Sequence, residues 1–297
     1  MALLMNLFLQ NLISGLSAGS VYALLAVGLV LIYKSSEVLN FAHGSFAMFA
    51  TFIAYHLSVT SGWPLPAAMI AALVCAFLIG AFVYRVTLDR ARQGGSHAVV
   101  MVTIGLLMII EGLAGWIWGT DTKEFHHFFG ESGSIALPGD LVVSVHDACI
   151  LAIALGLVLL LSLFFRFTRV GIALRAVSQN QVAAELMGVR VTRVHALTWG
   201  IASTLAAIAG LLVVPKLFLE PSMMFAPTLK AFAAAVLGGM SSIAGAILGA
   251  WILGVVETLA GAFISTEFQA SIAFLIIVLV LAVRPEGLLG KRIIKKV

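Results

Sequence analysis

Between Val38 and Tyr84 the chain carries no Asp, Glu, Lys or Arg, and its first charged side chain is Lys34. A stretch so long and so free of charge cannot present a water-facing surface, whereas spans of about 20 apolar residues are what a bilayer selects. The rest of the chain agrees. Hydrophobic residues make up 62% of the 297 and the four charged types only 10%, against roughly 25% charged in soluble domains. The composition predicts a polytopic membrane protein and excludes a soluble enzyme or a nucleic-acid binder. The basic pI, near 9.3, therefore has to be read loop by loop. Cys75 and Cys149 both lie in apolar sequence, which reads as packing rather than a disulfide framework. The N-terminus has no positive n-region and no short apolar run ending in a small-residue cleavage site, so the first apolar stretch reads as a retained span.

Charges and turn residues divide the chain into spans near 8–33, 39–59, 66–84, 98–118, 148–166, 195–215, 243–262 and 268–284, with a shorter apolar segment at 228–239. Trp63-Pro64-Leu65-Pro66 separates the second span from the third, because proline cannot continue a helix from the preceding turn. The predicted fold is all-α: about eight transmembrane helices and one short or broken helix in a single transmembrane domain, 1–297. Loop charge sets the orientation. Residues 85–97 carry Arg85, Arg90 and Arg92 against Asp89; residues 166–194 carry five arginines against Glu185; the tail from Arg284 carries five bases against Glu286. Residues 119–147 carry five acids against Lys123. Excess Lys and Arg mark the cytoplasmic side, so the three basic regions are expected inside, and the acidic loop and the N-terminus outside. Returning the basic tail to the cytoplasm needs an odd number of crossings after the loop near 216–227, while 243–262 and 268–284 supply two. Segment 228–239 reaches only about 18 Å at 1.5 Å per residue, short of a roughly 30 Å hydrocarbon core. It is either a broken helix of the kind that lines polar cavities in transporters or a tilted ordinary one.

Gly15-Leu-Ser-Ala-Gly19 and Gly245-Ala-Ile-Leu-Gly249 are small-xxx-small patterns that suit close helix packing within the chain or a dimer face. No His-Glu-x-x-His, nucleophile elbow or P-loop occurs, so the chain is not expected to be an enzyme or to hydrolyse ATP itself. His126-His127 reads as a solvated loop pair rather than a metal site. Inside spans, ionisable residues are costly and so informative. Glu37, Asn40 and His43 recur every three residues and would share one helix stripe at the start of the second span. With Glu111 they are candidates for a substrate pathway or gate. Lys230 and Glu257 either line such a route, snorkel to the headgroups as end residues, or make satisfied contacts between helices.

Gly171 to Gly188 is the most suggestive element facing water. Ala173, Ala176, Val177, Asn180, Ala183, Ala184 and Met187 fall at helical spacing and form a narrow small-residue stripe, with Arg175, Gln179 and Glu185 off it and Gly188 as terminator. Such a face suits docking into a groove on another protein or lying along the membrane surface.

At these residues a family resemblance enters. Gly15-Leu-Ser-Ala-Gly-Ser-Val-Tyr-Ala-Leu24 followed by Leu39-Asn-Phe-Ala-His-Gly44 resembles the opening of LivH-type permeases of branched-chain amino acid ABC importers. Gly171-Ile-Ala-Leu-Arg-Ala-Val177 through Ala183-Ala-Glu-Leu-Met-Gly188 looks like that family's ATPase-contacting loop, although Ile172 stands where a polar or basic residue is expected. Lys230-Ala-Phe-Ala-Ala-Ala-Val-Leu-Gly-Gly239, with Gly245 to Gly249, looks like its third landmark. The resemblance covers about residues 11 to 290. It implies one permease subunit in a bacterial inner membrane, with a sister permease, two cytoplasmic ATPases that hydrolyse the ATP, and a periplasmic binding protein as partners. This chain itself would bind no cofactor. Coupling to the ATPases would run through the loop at about 166–194, at Arg175, Ala183, Ala184, Glu185 and Gly188. The cargo would be branched-chain or related amino acids. Urea and short amides are the alternative cargo, and an ion-coupled secondary transporter, using Glu111, is the alternative class.

Overall fold

The computed structural model describes residues 2–125, 133–137, 141–267 and 269–290. Twelve α-helices occur among them: α1 Ala2–Ser36, α2 His43–Tyr55, α3 Leu65–Val83, α4 Asp89–Ala91, α5 Gly95–Trp118, α6 Val145–Phe167, α7 Arg169–Gln179, α8 Gln181–Leu186, α9 Val191–Val213, α10 Phe225–Gly238, α11 Ile243–Phe263 and α12 Gln269–Val283. Six stretches among the described residues are long and apolar enough to cross a membrane, and they contain α1, α3, α5, α6, α9 and α11. The other predicted spans are shorter. Helix α2 has 13 residues before a π-helical turn, His56–Thr60, and α12 has 15. The segment near 228–239 is α10, 14 residues long, so its short reach is confirmed at about 21 Å.

The chain is mostly helical, as expected, and the acidic loop adds one small β-hairpin. Ser134–Leu137 (β1) and Leu141–Ser144 (β2) form an antiparallel hairpin, with Ser134 opposite Ser144 and Ile135 opposite Val143. The sequence between them, Pro-Gly-Asp, has turn composition, and the flanking residues are rich in Ile, Leu and Val; this is the hairpin pattern. His126 and His127 lie outside the described residues.

The chain divides into two compact units. The first comprises residues 1–30, 126–156 and 229–297. Its helices approach until backbones touch. A Cβ on Gly15 would lie 2.8 Å from the Val255 Cα, and one on Gly19 2.7 Å from the Ala250 carbonyl, so α1 and α11 meet where neither has a side chain. A Cβ on Gly249 would lie 2.4 Å from the Ala234 carbonyl and one on Gly245 2.2 Å from the Gly238 carbonyl, which seats α10 on α11 in the same way. Both small-xxx-small patterns are therefore used for packing within the chain. Polar pairs add to this: Ser17 donates to Asp147 at 2.6 Å, and the Trp251 indole donates to Ser20 at 3.0 Å. In lipid such bonds are worth about 1 kcal/mol each. The chain after α12 returns to the end of α10, where the amides of Leu288 and Leu289 donate to the carbonyls of Leu237 and Gly238.

The second unit comprises residues 31–125 and 157–228 and is organised around α9, which packs along α2 and α3. Glycines set the spacing here too. A Cβ on Gly210 would lie 2.7 Å from the Thr51 hydroxyl, and one on Gly80 2.8 Å from the Trp199 carbonyl. By contrast α3, α5 and α6 leave large apolar side chains exposed, among them Ile70, Phe82, Met101, Met108 and Leu159. An exposed apolar face on a long helix is what hydrocarbon accepts and water does not.

Candidate functional site

The expected stripe of Glu37, Asn40 and His43 is not a helix stripe. Helix α1 ends at Ser36, residues 37–42 form an irregular connection, and α2 begins only at His43. Glu37 takes a left-handed backbone conformation, φ 56°, and is exposed. A non-glycine residue at positive φ stops a helix. Asn40 and His43 are 1% and 0% exposed, so two of the three polar residues are buried. The Asn40 Oδ1 accepts from the Ala42 amide at 3.1 Å, and its carbonyl accepts from the His43 amide at 3.4 Å. Its carboxamide therefore shapes the entry into α2, while its Nδ2 is buried with no partner among the described residues. Gly44 follows because α2 is pressed onto the start of α10: a Cβ there would lie 2.1 Å from the Thr228 hydroxyl.

Thr103, on α5, donates to the Leu39 carbonyl at 3.4 Å and ties α5 to this connection. Glu111 lies eight residues further along α5, about 12 Å at 1.5 Å per residue. It is half-buried. The structure does not bring Glu111 to Asn40 and His43.

In the first unit Lys230 and Glu257 find each other. The Lys230 ammonium, on α10, forms an ion pair with the Glu257 carboxylate of α11 and donates to the Tyr22 hydroxyl of α1 at 3.3 Å. Tyr22 in turn donates to the second Glu257 oxygen at 3.2 Å. The ammonium also sits 5.5 Å from the Tyr22 ring centroid, within cation–π range. Glu257 is 7% exposed at its side chain and Lys230 23%. Of the three expectations for these residues, the satisfied contact between helices is the one observed, and Tyr22 is a member that sequence spacing had not singled out.

The basic loop is two helices rather than one. Thr168 caps α7 by accepting from the Gly171 amide at 3.1 Å. Asn180 then breaks the helix in extended conformation and caps α8, accepting from the Ala183 amide at 3.0 Å. Asn is among the best N-cap residues because its side-chain oxygen satisfies an orphan amide of the first turn. Gly188 ends α8 at φ 85°, with Gly188 donating to Glu185 and Val189 to Ala184, a Schellman closure. The small-residue stripe is therefore split: Ala173, Ala176, Val177 and Ala184 face inward, while Asn180, Ala183 and Met187 are exposed. Ala184 is 4% exposed and packs with Leu174, Val177, Val191 and Val194, with Ala173 and Ala176 against the same cluster. That corrects the expectation that Ala184 enters a partner's groove. The outward face is Val182, Ala183, Glu185, Leu186 and Met187, with Leu186 and Met187 each 84% exposed. Arg175 is exposed on α7 and donates to the Arg166 carbonyl at 3.4 Å.

These features meet a clear set of relatives. The family described as branched-chain amino acid transport system permease component matches residues 11–283. The high-affinity branched-chain amino acid transport system permease protein LivH of Escherichia coli is 32% identical over 98% of each chain. The corresponding protein BraD of Pseudomonas aeruginosa is 31% identical over 98% of each. More distantly, the ribose import permease RbsC of Escherichia coli is 24% identical over 83% of this chain and 76% of its own. Among solved structures, PsaBC from Streptococcus pneumoniae aligns over 94% of this chain and 92% of its own, with a TM-score of 0.47 and 16% identity. A helical membrane protein with at least six candidate spans, matched end to end in this way, belongs to the permease component family of branched-chain amino acid ABC transport systems and is not an enzyme.

Proposed function

We propose that this chain is the transmembrane permease subunit of an ABC importer in the bacterial inner membrane, carrying branched-chain or related amino acids. The observation that carries the reading is the basic loop of α7 and α8. It is a compact, capped two-helix element whose outer face leaves Val182, Leu186 and Met187 exposed. Residues so apolar and so exposed, flanked by five arginines, fit a docking face on the cytoplasmic side. Two ATPases supply the ATP hydrolysis there, and a sister permease and a periplasmic binding protein complete the importer; this chain binds no cofactor. Ala183, Glu185, Leu186 and Met187 contact an ATPase, Arg175 lies at the rim of that face, and Gly188 holds α8 in position. Eight spans, with α2 and α12 as the two shorter ones, and α10 as a short ninth crossing put the N-terminus outside and the basic tail inside. The transmembrane part, 1–297, then works as a single domain.

The test is uptake of labelled leucine, isoleucine and valine into proteoliposomes holding the assembled complex. ATP without a proton gradient is expected to drive uptake. Uptake driven by a gradient in the absence of ATP would replace this reading with ion-coupled transport, for which Glu111 would be the first residue to substitute. Preference for urea over leucine would change the cargo but not the class.

Asn40 and His43 belong to the substrate route or its gate, with Glu37 at its mouth. Asn40→Leu removes a buried unsatisfied donor but leaves the buried Ala42 amide without its acceptor, a net loss of about 1 kcal/mol of stability. The protein is still expected to fold and assemble, while uptake falls about tenfold, the equivalent of one lost contact of about 1.4 kcal/mol. Normal uptake by a well-assembled Asn40→Leu complex would make this residue structural only.

A further inference from the structure

The second unit holds a bridge that no part of the transport reading requires and that joins the docking loop to the core of the spans. Arg92 follows α4 in the connection between α3 and α5. One of its guanidinium nitrogens donates to the Tyr84 hydroxyl at 3.1 Å and the other to the Gln181 side-chain oxygen at 2.9 Å. Gln181 is the first residue of α8, beside the Asn180 cap. At the far end Tyr84 is 1% exposed, and its ring lies 5.5 Å from the ring of His195 and 5.9 Å from that of Trp199, both on α9. Neither His195 nor the Trp199 indole nitrogen has a hydrogen-bond partner among the described residues. The two α9 rings beside Tyr84 are thus held by packing, with no hydrogen bond among the described residues. A second tie runs alongside, from the Thr192 hydroxyl of α9 to Asp89 at 3.4 Å.

We infer that Arg92 is a positioning residue for energy coupling, transmitting displacement of α8 through Tyr84 to α9. The inference rests on the reading of the α8 face as the ATPase contact. The chemistry selects arginine: its planar fork holds two acceptors at a fixed angle, whereas a lysine ammonium holds them only as a point charge. Displacement of Gln181 then pulls on a rigid fork whose other prong is the hydroxyl of a buried ring.

The experiment compares variants in the assembled complex, reading three quantities: ATPase subunits retained, ATP hydrolysis without the binding protein, and its stimulation by the cognate binding protein loaded with leucine. Arg92→Lys, Tyr84→Phe and Gln181→Leu are expected to retain the ATPases at the wild-type ratio while stimulation falls about tenfold, within the usual range of coupling between sites. Gln181→Glu, which keeps an acceptor oxygen for the guanidinium, is expected to remain coupled. The double variant Arg92→Lys with Gln181→Leu is expected to be no worse than either single one, because both cut the same bridge. Stimulation at the wild-type level in Arg92→Lys and Tyr84→Phe overturns the inference. So does loss of the ATPases in these variants, since the bridge would then merely hold the docking face in shape. If instead Leu186→Asp retains the ATPases as wild type does, the docking reading itself fails, and that result is separate from the bridge.

Discussion

Lys230→Met is expected to leave little folded protein, and adding Glu257→Gln to it is expected to bring most of it back. The carboxylate of Glu257 is 7% exposed at its side chain and has two partners, the Lys230 ammonium and the Tyr22 hydroxyl. Removing the ammonium leaves a charge in an apolar surrounding, which costs about 3–5 kcal/mol, a large part of a total stability of about 5–15 kcal/mol. The helices cannot shift to relieve it. Gly15, Gly19 and Gly254 fix α1 against α11 at backbone contact, and Gly238, Gly245 and Gly249 do the same for α10. Glu257→Gln alone is expected to be milder, because Lys230 is 23% exposed and its long stem can carry the ammonium toward a polar surface. The double variant removes both charges, and replacing a buried pair by uncharged groups of similar size is often close to neutral. The check is monodisperse yield and thermal midpoint in detergent for the two single variants and the double one. Equal midpoints for wild type and Lys230→Met would mean that the pair contributes nothing to holding α1, α10 and α11 together.

That pair also marks where reading the chain from sequence runs out. Lys230 and Glu257 stand out as charges in apolar sequence, but 27 residues and a change of helix separate them, and only the glycine-set geometry of α10 on α11 makes them partners. Tyr22 carries no charge and so stood out from nothing. Six of the expected spans were legible because a bilayer leaves few alternatives: a run of apolar residues either crosses or breaks, and Trp63-Pro64-Leu65-Pro66 shows where it breaks. Local breaks were harder. Helical spacing ran unbroken through Asn180, yet Asn180 prefers the cap of a helix to its interior, and that preference split the loop into α7 and α8 and turned Ala184 inward. The same lesson holds at Asn40. A period of three suggested a stripe, while Lys34-Ser-Ser-Glu37, four polar residues in a row after a long apolar run, marked the place where α1 ends. The hairpin was readable from its Pro-Gly-Asp centre, but expectations built on spans passed over a loop of 29 residues between them.

The inward turn of Ala184 changes what a substitution in this loop would do, and it separates docking from folding. Leu186 and Met187 lie side by side at the end of α8, each 84% exposed. Burying such a side chain against a partner is worth about 1.5–3 kcal/mol, and introducing a carboxylate there adds the cost of desolvating an unpaired charge. Leu186→Asp with Met187→Asp is therefore expected to weaken ATPase binding by about a hundredfold or more, since each 1.4 kcal/mol is a factor of ten. The substituted protein itself should keep the wild-type thermal midpoint, because neither side chain packs within the chain. Ala184→Trp is expected to do the reverse. Its added volume would enter the cluster of Leu174, Val177, Val191 and Val194, where overpacking costs about 1–3 kcal/mol, so the loop would loosen and the midpoint would fall before any partner is present. Co-purification of the ATPases, read beside the midpoint of the isolated permease, distinguishes the two outcomes. Full retention of the ATPases by the Leu186→Asp, Met187→Asp protein would move the contact off α8. A lowered midpoint in that same protein would mean that its outer face packs within the chain.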